Sequence, residues 1–234
     1  MIWRETLFCL LALVSAAPVF GALGQTQVAV GGEVYLVAYV DIMASARAAM
    51  IAAVAQYRDA SGKENGYAGL DALEQSGRPG HFVVIERWRD QAMLDAHRMT
   101  PHAQRFRNAL QSVRVSGYDE RSYKTLTVTP STLVLGGHSV YVVSHVDIAG
   151  AGALAEAPGL LRRLAEESRR EQGSVRFDVF QHAMRANHFT VVEVWRDQAA
   201  LDVHVGTAHT RAYRDALQPI SGSPVDERVY SVVE

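Results

Sequence analysis

Part of this chain is written twice. Val34 to Ile42 aligns with Val140 to Ile148 at an offset of 106 residues, and Glu86 to Gln111 aligns with Glu193 to Gln218 at an offset of 107. In the second alignment 15 of the 26 positions are identical, among them Trp-Arg-Asp-Gln-Ala, Leu-Asp-x-His and a terminal Ala-Leu-Gln. Such agreement reports a tandem duplication of one domain of roughly a hundred residues. Any fold assigned to one copy must therefore accommodate a second copy in the same chain.

Each copy gives the same element order. Val34 to Ile42 and Val140 to Ile148 are rich in Val and Tyr and alternate, as a strand with a buried face does. Ala44 to Arg58 and Ala153 to Arg170 carry Ala, Met and Leu at helical spacing, and Gly66 and Gly173 mark the exits. Tyr67 to Leu73 and Ser174 to Phe180 alternate as second strands, followed by third strands ending at Trp88 and Trp195. Asp90 and Asp197 are N-caps for a second helix reaching Gln111 or Gln218, which Thr100-Pro101 should kink or restart in the first copy. Val113 to Tyr123 and Val225 to Val233 supply last strands. The order β-α-β-β-α-β predicts α+β, ferredoxin-like domains with helices on one face of an antiparallel sheet.

The first strand is apolar on both sides, with Val34, Leu36, Ala38 and Val40 on one and Tyr35, Val37 and Tyr39 on the other. Two such sheets in one chain can hide their second faces against each other, which predicts an intramolecular pseudo-dimeric α/β barrel, or pairing of two chains as a homodimer. The expected divisions are residues 33–124 and 138–234 for the domains, with a linker at 125–137 containing Pro130 and Gly136-Gly137.

A formal net charge of −2 suggests no basic face for nucleic acid. The run from Arg162 through Arg163, Glu166, Glu167, Arg169 and Arg170 to Glu171 is expected as a solvated helix face. Residues 1–24 differ from the rest: Arg4, an apolar run from Leu7 to Val14, then Ala22-Leu23-Gly24 give the pattern of a secretory signal peptide cleaved after Gly24, with an uncleaved anchor as the alternative, for which the apolar run is short. A periplasmic or secreted location follows, with no stable membrane insertion after cleavage. The single cysteine, Cys9, lies in that segment, so a mature chain would have neither disulfide nor thiol nucleophile.

Glu86-Arg87-Trp88-Arg89-Asp90, Leu94-Asp95-Ala96-His97 and Thr100-Pro101-His102, with their counterparts from Glu193 to His209, resemble the antibiotic biosynthesis monooxygenase family of the dimeric α/β-barrel superfamily. The resemblance implies a pocket in each domain, between sheet and helices, for a planar aromatic. It also implies oxidation of a small phenol or quinol whose anion passes an electron directly to dioxygen, with neither metal nor organic cofactor. A non-catalytic aromatic-binding or stress-response barrel and a haem-binding or haem-degrading protein are the alternatives. Haem degraders of the superfamily place an Asn on the first strand, where this chain has Ala38-Tyr39 and Ser144-His145.

Trp88 and Trp195 could stack on a substrate ring or plug the end of the sheet. His97 and His204 lie on the buried stripe of the second helix and are candidate bases; a His held by a backbone carbonyl is the plain reading. Glu86 and Glu193 could orient a donor or pair with an Arg. His102 and His209 follow five positions after the first pair, a spacing that does not align two ligands on a regular helix, so no metal site is expected. Tyr39, His145 and Tyr67 could line the pockets or lie between the sheets. Arg107 and Arg214 suit an anion or a helix C-terminus, and Asp119-Glu120-Arg121 and Asp226-Glu227-Arg228 suggest pairs across strand edges.

Overall fold

A computed structural model describes residues 32–129 and 138–233, so the segment read as a signal peptide and residues 130–137 of the linker lie outside the described residues. The first copy runs β1 (Val34–Asp41), α1 (Arg47–Ser61), β2 (Tyr67–Gln75), β3 (His81–Trp88), α2 (Gln91–Arg98), α3 (Pro101–Gln111) and β4 (Asp119–Thr127). The second runs β5 (Val140–Asp147), α4 (Ala151–Ser168), β6 (Ser174–His182), β7 (His188–Trp195), α5 (Gln198–Val205), α6 (Ala208–Leu217) and β8 (Asp226–Val232).

All eight strands close into one barrel in the order β1-β3-β2-β8-β5-β7-β6-β4. Within each copy the split β-α-β-β-α-β order holds. The copies join through β2 against β8 and β4 against β6, both antiparallel. Closure removes every free sheet edge. It also explains the two-sided apolar strands: Tyr35, Val37, Val83 and Ile85 meet Tyr141, Val143, Val192 and Val194 in the barrel interior. The alternate positions, Ala38, Val40, Phe82 and Val84, pack under α1 and α3, and Val142, Val146, Phe189 and Val191 pack under α4 and α6. One chain thus supplies both sheets.

Three sequence expectations are corrected. The restart expected at Thr100-Pro101 in the first copy occurs, but the second copy's helix is broken as well, because Thr207, like Thr100, takes extended backbone and accepts from the amide three residues on, starting a new helix. The last strand of the first copy begins at Asp119, later than Val113, and runs into the stretch expected as linker, since Thr125 and Thr127 pair with Phe180 and Val179 of β6. Asp119-Glu120-Arg121 and Asp226-Glu227-Arg228 do not pair across strand edges: Arg121 binds Asp119, and Arg228 binds Asp226, two residues away on the same strand.

At Gly66 and Gly173, with φ of 86° and 95°, the chain turns into β2 and β6. An added Cβ would meet Met93 Cγ at 2.4 Å or Ala200 Cβ at 2.6 Å, so these turns press directly on α2 and α5. Among the described residues no helix is long and apolar enough to cross a membrane.

Candidate functional site

Strand alternation sends Glu86 and Trp88 on β3, and Glu193 and Trp195 on β7, toward the helices rather than the barrel interior. Both indoles are fully buried and donate Nε1–H to the carboxylate two residues earlier, Trp88 to Glu86 and Trp195 to Glu193, each at 2.9 Å. The carboxylates therefore find indoles and imidazoles, not the Arg partners anticipated. Tyr67 meets the Trp88 ring edge-on at 5.6 Å.

His97 and His204 lie over these tryptophans at centroid distances of 4.4 and 4.5 Å. They are bonded to carboxylates, not to the backbone carbonyl of the plain reading. His97 Nδ1 is 2.6 Å from Glu64 and His204 Nδ1 is 2.6 Å from Glu171. The same Glu64 oxygen lies 2.7 Å from His102 Nε2, and the Glu171 oxygen lies 2.9 Å from His209 Nε2. Despite the five-residue spacing both imidazoles reach one carboxylate, because each pair straddles the break between two helices. Glu171 is also not on a solvated face; its side chain is 12% exposed. Both glutamates recur at the repeat offset of 107, and that recurrence was the signal that could have singled them out.

The copies then diverge. In the first, Tyr57 of α1 donates to Glu86 Oε1 at 2.7 Å, and its oxygen faces His97 Nε2 at 2.6 Å while its ring stacks on Phe106 at 4.3 Å. Burial pushes the Glu86 carboxyl upward, opposed by His97 and by the Tyr57 and Trp88 donors. In the second copy the aligned residues are Leu164 and Tyr213, so the phenol has moved from the first helix to the last. Glu193 loses the Tyr57-type donor, and burial raises its pKa to about 8. Burial also lowers the His204 pKa, against the pull of Glu171.

In the second copy a cleft of about 710 Å³ is bounded by Tyr213, Arg214 and Leu217 of α6, by residues 221–225 and by Glu227 of β8. Burial, with the charges of Glu193 and Glu227, pushes the Tyr213 phenol pKa upward. At the matching place in the first copy, Tyr118 stands where the second has Val225, and it packs on the core. Arg98 there pairs with Glu120 at 3.1 Å and leaves Arg107 to donate to the Arg98 carbonyl at 2.5 Å. Val205 replaces Arg98 in the second copy, so Arg214 faces Glu227 alone at 3.8 Å, with both side chains about half exposed.

Tyr39 and His145 are not brought to either helix-side group. They meet edge-on at 5.3 Å on the barrel-interior face, where burial and nearby Arg121 hold the His145 pKa down at about 3. They line a separate opening of about 220 Å³ with Arg121 and Arg228.

Two ferredoxin-like sheets closed into one barrel, each with a Trp-Glu-His group beneath its helices, define a pseudo-dimeric α/β barrel made by a single chain. The family model described as antibiotic biosynthesis monooxygenase matches residues 33–109 and again 140–216, and the chain belongs to that family as a tandem pair. YcnE of Bacillus subtilis (strain 168), provisionally named a monooxygenase, is 32% identical over 63 residues, covering 27% of this chain and 66% of YcnE. The chain thus spans just under two thirds of that relative's own length. A provisionally named monooxygenase from Fusobacterium nucleatum superposes with a TM-score of 0.79 at 13% identity, covering 87% of this chain and 94% of the other. One from Lactobacillus acidophilus gives 0.74 at 16% identity, covering 87% and 95%. At those identities the two structures speak for the fold alone.

Proposed function

We propose that this protein is an exported monooxygenase that oxidises a small phenol or quinol with dioxygen in the cleft of its second copy. Export rests on the pattern of residues 1–24. The observations that support the catalytic reading are that cleft, lined by Tyr213 and Arg214, and Glu193, a buried carboxyl outside its lining whose pKa of about 8 suits proton transfer near neutral pH.

A phenol ring enters between Tyr213 and Val225. Its proton passes to ionised Glu193, relayed by the Tyr213 hydroxyl at the cleft wall. Arg214 stabilises the aryloxide by its charge, and Trp195 holds the carboxylate through the indole N–H. His204, lying 3.6 Å from Glu193 through Nε2, keeps the carboxylate in place from behind. The aryloxide gives one electron to dioxygen, the aryloxyl radical and superoxide join at an unsubstituted ring carbon ortho or para to the oxygen, the peroxide takes the proton back from Glu193, and loss of water with that carbon's hydrogen yields the quinone. One phenol and one dioxygen become one quinone and one water, so no further reductant is needed. The protein binds the ring, takes the proton and limits water around the charge.

Oxygen uptake by the purified chain, recorded across a panel of phenols and quinols, tests this. The expected result is uptake with kcat/KM rising through about pH 8 as Glu193 ionises, and losing that rise in Glu193→Gln. No uptake across the panel would overturn the reading.

A further inference from the structure

We propose that each copy also holds one divalent transition-metal ion, at Glu64, His97 and His102 in the first and at Glu171, His204 and His209 in the second. In each trio the imidazole nitrogens and a carboxylate oxygen lie within 4.8 Å of one another. Both rings aim at a single carboxylate oxygen: Nδ1 of His97 and Nε2 of His102 are 2.6 and 2.7 Å from Glu64 Oε1, and Nδ1 of His204 and Nε2 of His209 are 2.6 and 2.9 Å from Glu171 Oε1. Two imidazoles and one carboxylate form a donor set that suits Zn²⁺ or Fe²⁺ and poorly suits Mg²⁺ or Ca²⁺.

Three further observations point to an ion. First, Oε2 of Glu171 is buried without a hydrogen-bond partner, a free lone-pair donor within the trio. Second, the other nitrogen of each buried histidine faces an oxygen acceptor, His97 Nε2 lying 2.6 Å from the Tyr57 hydroxyl and His204 Nε2 lying 3.4 Å from Thr210 Oγ1. A ligating histidine commonly donates its second N–H in this way, which fixes the tautomer that leaves Nδ1 free for a metal. Third, the trios have an entry path, because the side chains of His102 and His209 are 17% and 19% exposed. The copies have diverged at Tyr57 and Leu164, at Phe106 and Tyr213, and at Tyr118 and Val225, yet all three trio residues are the same in both.

Ligand atoms about 2.0–2.1 Å from a tetrahedral Zn²⁺ stand roughly 3.3 Å apart. The glutamate therefore withdraws by roughly half an ångström to admit the ion, a small motion for a partly exposed side chain at a helix-to-strand turn. Bound there, the ion ties the turn after α1 to the α2–α3 break, and the turn after α4 to the α5–α6 break.

The test uses the untagged full chain, stripped with chelator and titrated with Zn²⁺ by calorimetry. Co²⁺ is added separately to read the ligand field from its visible absorption. The expected result is two ions per chain, a cobalt spectrum of nitrogen and oxygen ligation, and a melting temperature raised by several degrees. His102→Ala and His209→Ala, at partly exposed positions, should each remove one equivalent and together remove both, with circular dichroism confirming that the variants fold. Fewer than two ions per chain, or uptake unchanged in the double variant, overturns the proposal.

Discussion

In the first copy a tyrosine from α1 seals the buried glutamate: Tyr57 bonds Glu86, stacks on Phe106 and meets His97. In the second, Leu164 stands in its place and the tyrosine comes from α6, at the wall of an open cleft. The same contrast recurs at the rim. Tyr118 packs where Val225 leaves space, and Arg98 neutralises Glu120 where Val205 leaves Glu227 to Arg214. A handful of side-chain exchanges on one backbone plan thus separates a Glu86 bonded by Tyr57 from a buried Glu193 without that donor. Duplication permits this, since one copy can keep the barrel closed while the other specialises.

The sharpest way to break the comparison is to neutralise each glutamate in turn. Glu193→Gln should slow oxygen uptake by about 10²–10⁴-fold, the usual contribution of a positioned base, while Glu86→Gln should leave turnover within a few-fold. Equal losses would mean that the copies are not functionally distinct.

Acidity gives the next largest effect. The Glu193 carboxyl is raised from 4.5 to about 8 in the folded chain, so the stability of its protonated form is complete below about pH 4.5 and is lost as pH rises through about 8. Melting curves of the parent should fall relative to Glu193→Gln over that window, by at most about 1.4 kcal/mol per pH unit. Parallel curves would contradict the raised pKa.

Exchanging the rim residues sharpens the contrast further. Val225→Tyr places the first copy's side chain in the second copy's cleft and should raise the KM for a quinol by about one order of magnitude, near 1.4 kcal/mol. An unchanged KM would move the ring elsewhere. Smallest is Tyr57→Phe, which removes one donor from buried Glu86 and should lower stability by about 1 kcal/mol in denaturant titration, with little change in turnover.

The barrel was legible because the repeat and the alternation of β1 each demanded a second sheet, and a closed barrel satisfies both. The Trp, Glu and His positions were legible because they recur at a constant offset. What stayed hidden depended on where separate segments meet. Tyr57 reads as one more apolar helix position until α1 is laid over β3. Glu64 and Glu171 read as charges at a helix exit until the break at Thr100 and Thr207 turns a second histidine back onto each. The unequal halves came through only faintly, in the Tyr39 and His145 pair, and those two proved to lie in the barrel interior. The exchanges that matter, Tyr57 for Leu164 and Tyr118 for Val225, carry no motif.

The second copy's cleft, at about 710 Å³, is the proposed ring site, against openings of about 210 Å³ at Tyr57 and Phe106 and about 220 Å³ at Tyr39 and His145. Calorimetric titration of the purified chain with a redox-inert phenol under argon measures this directly. One ring bound per chain, with binding weakened by Val225→Tyr and not by Tyr57→Phe, is the result predicted here. Two equivalent rings per chain would contradict it.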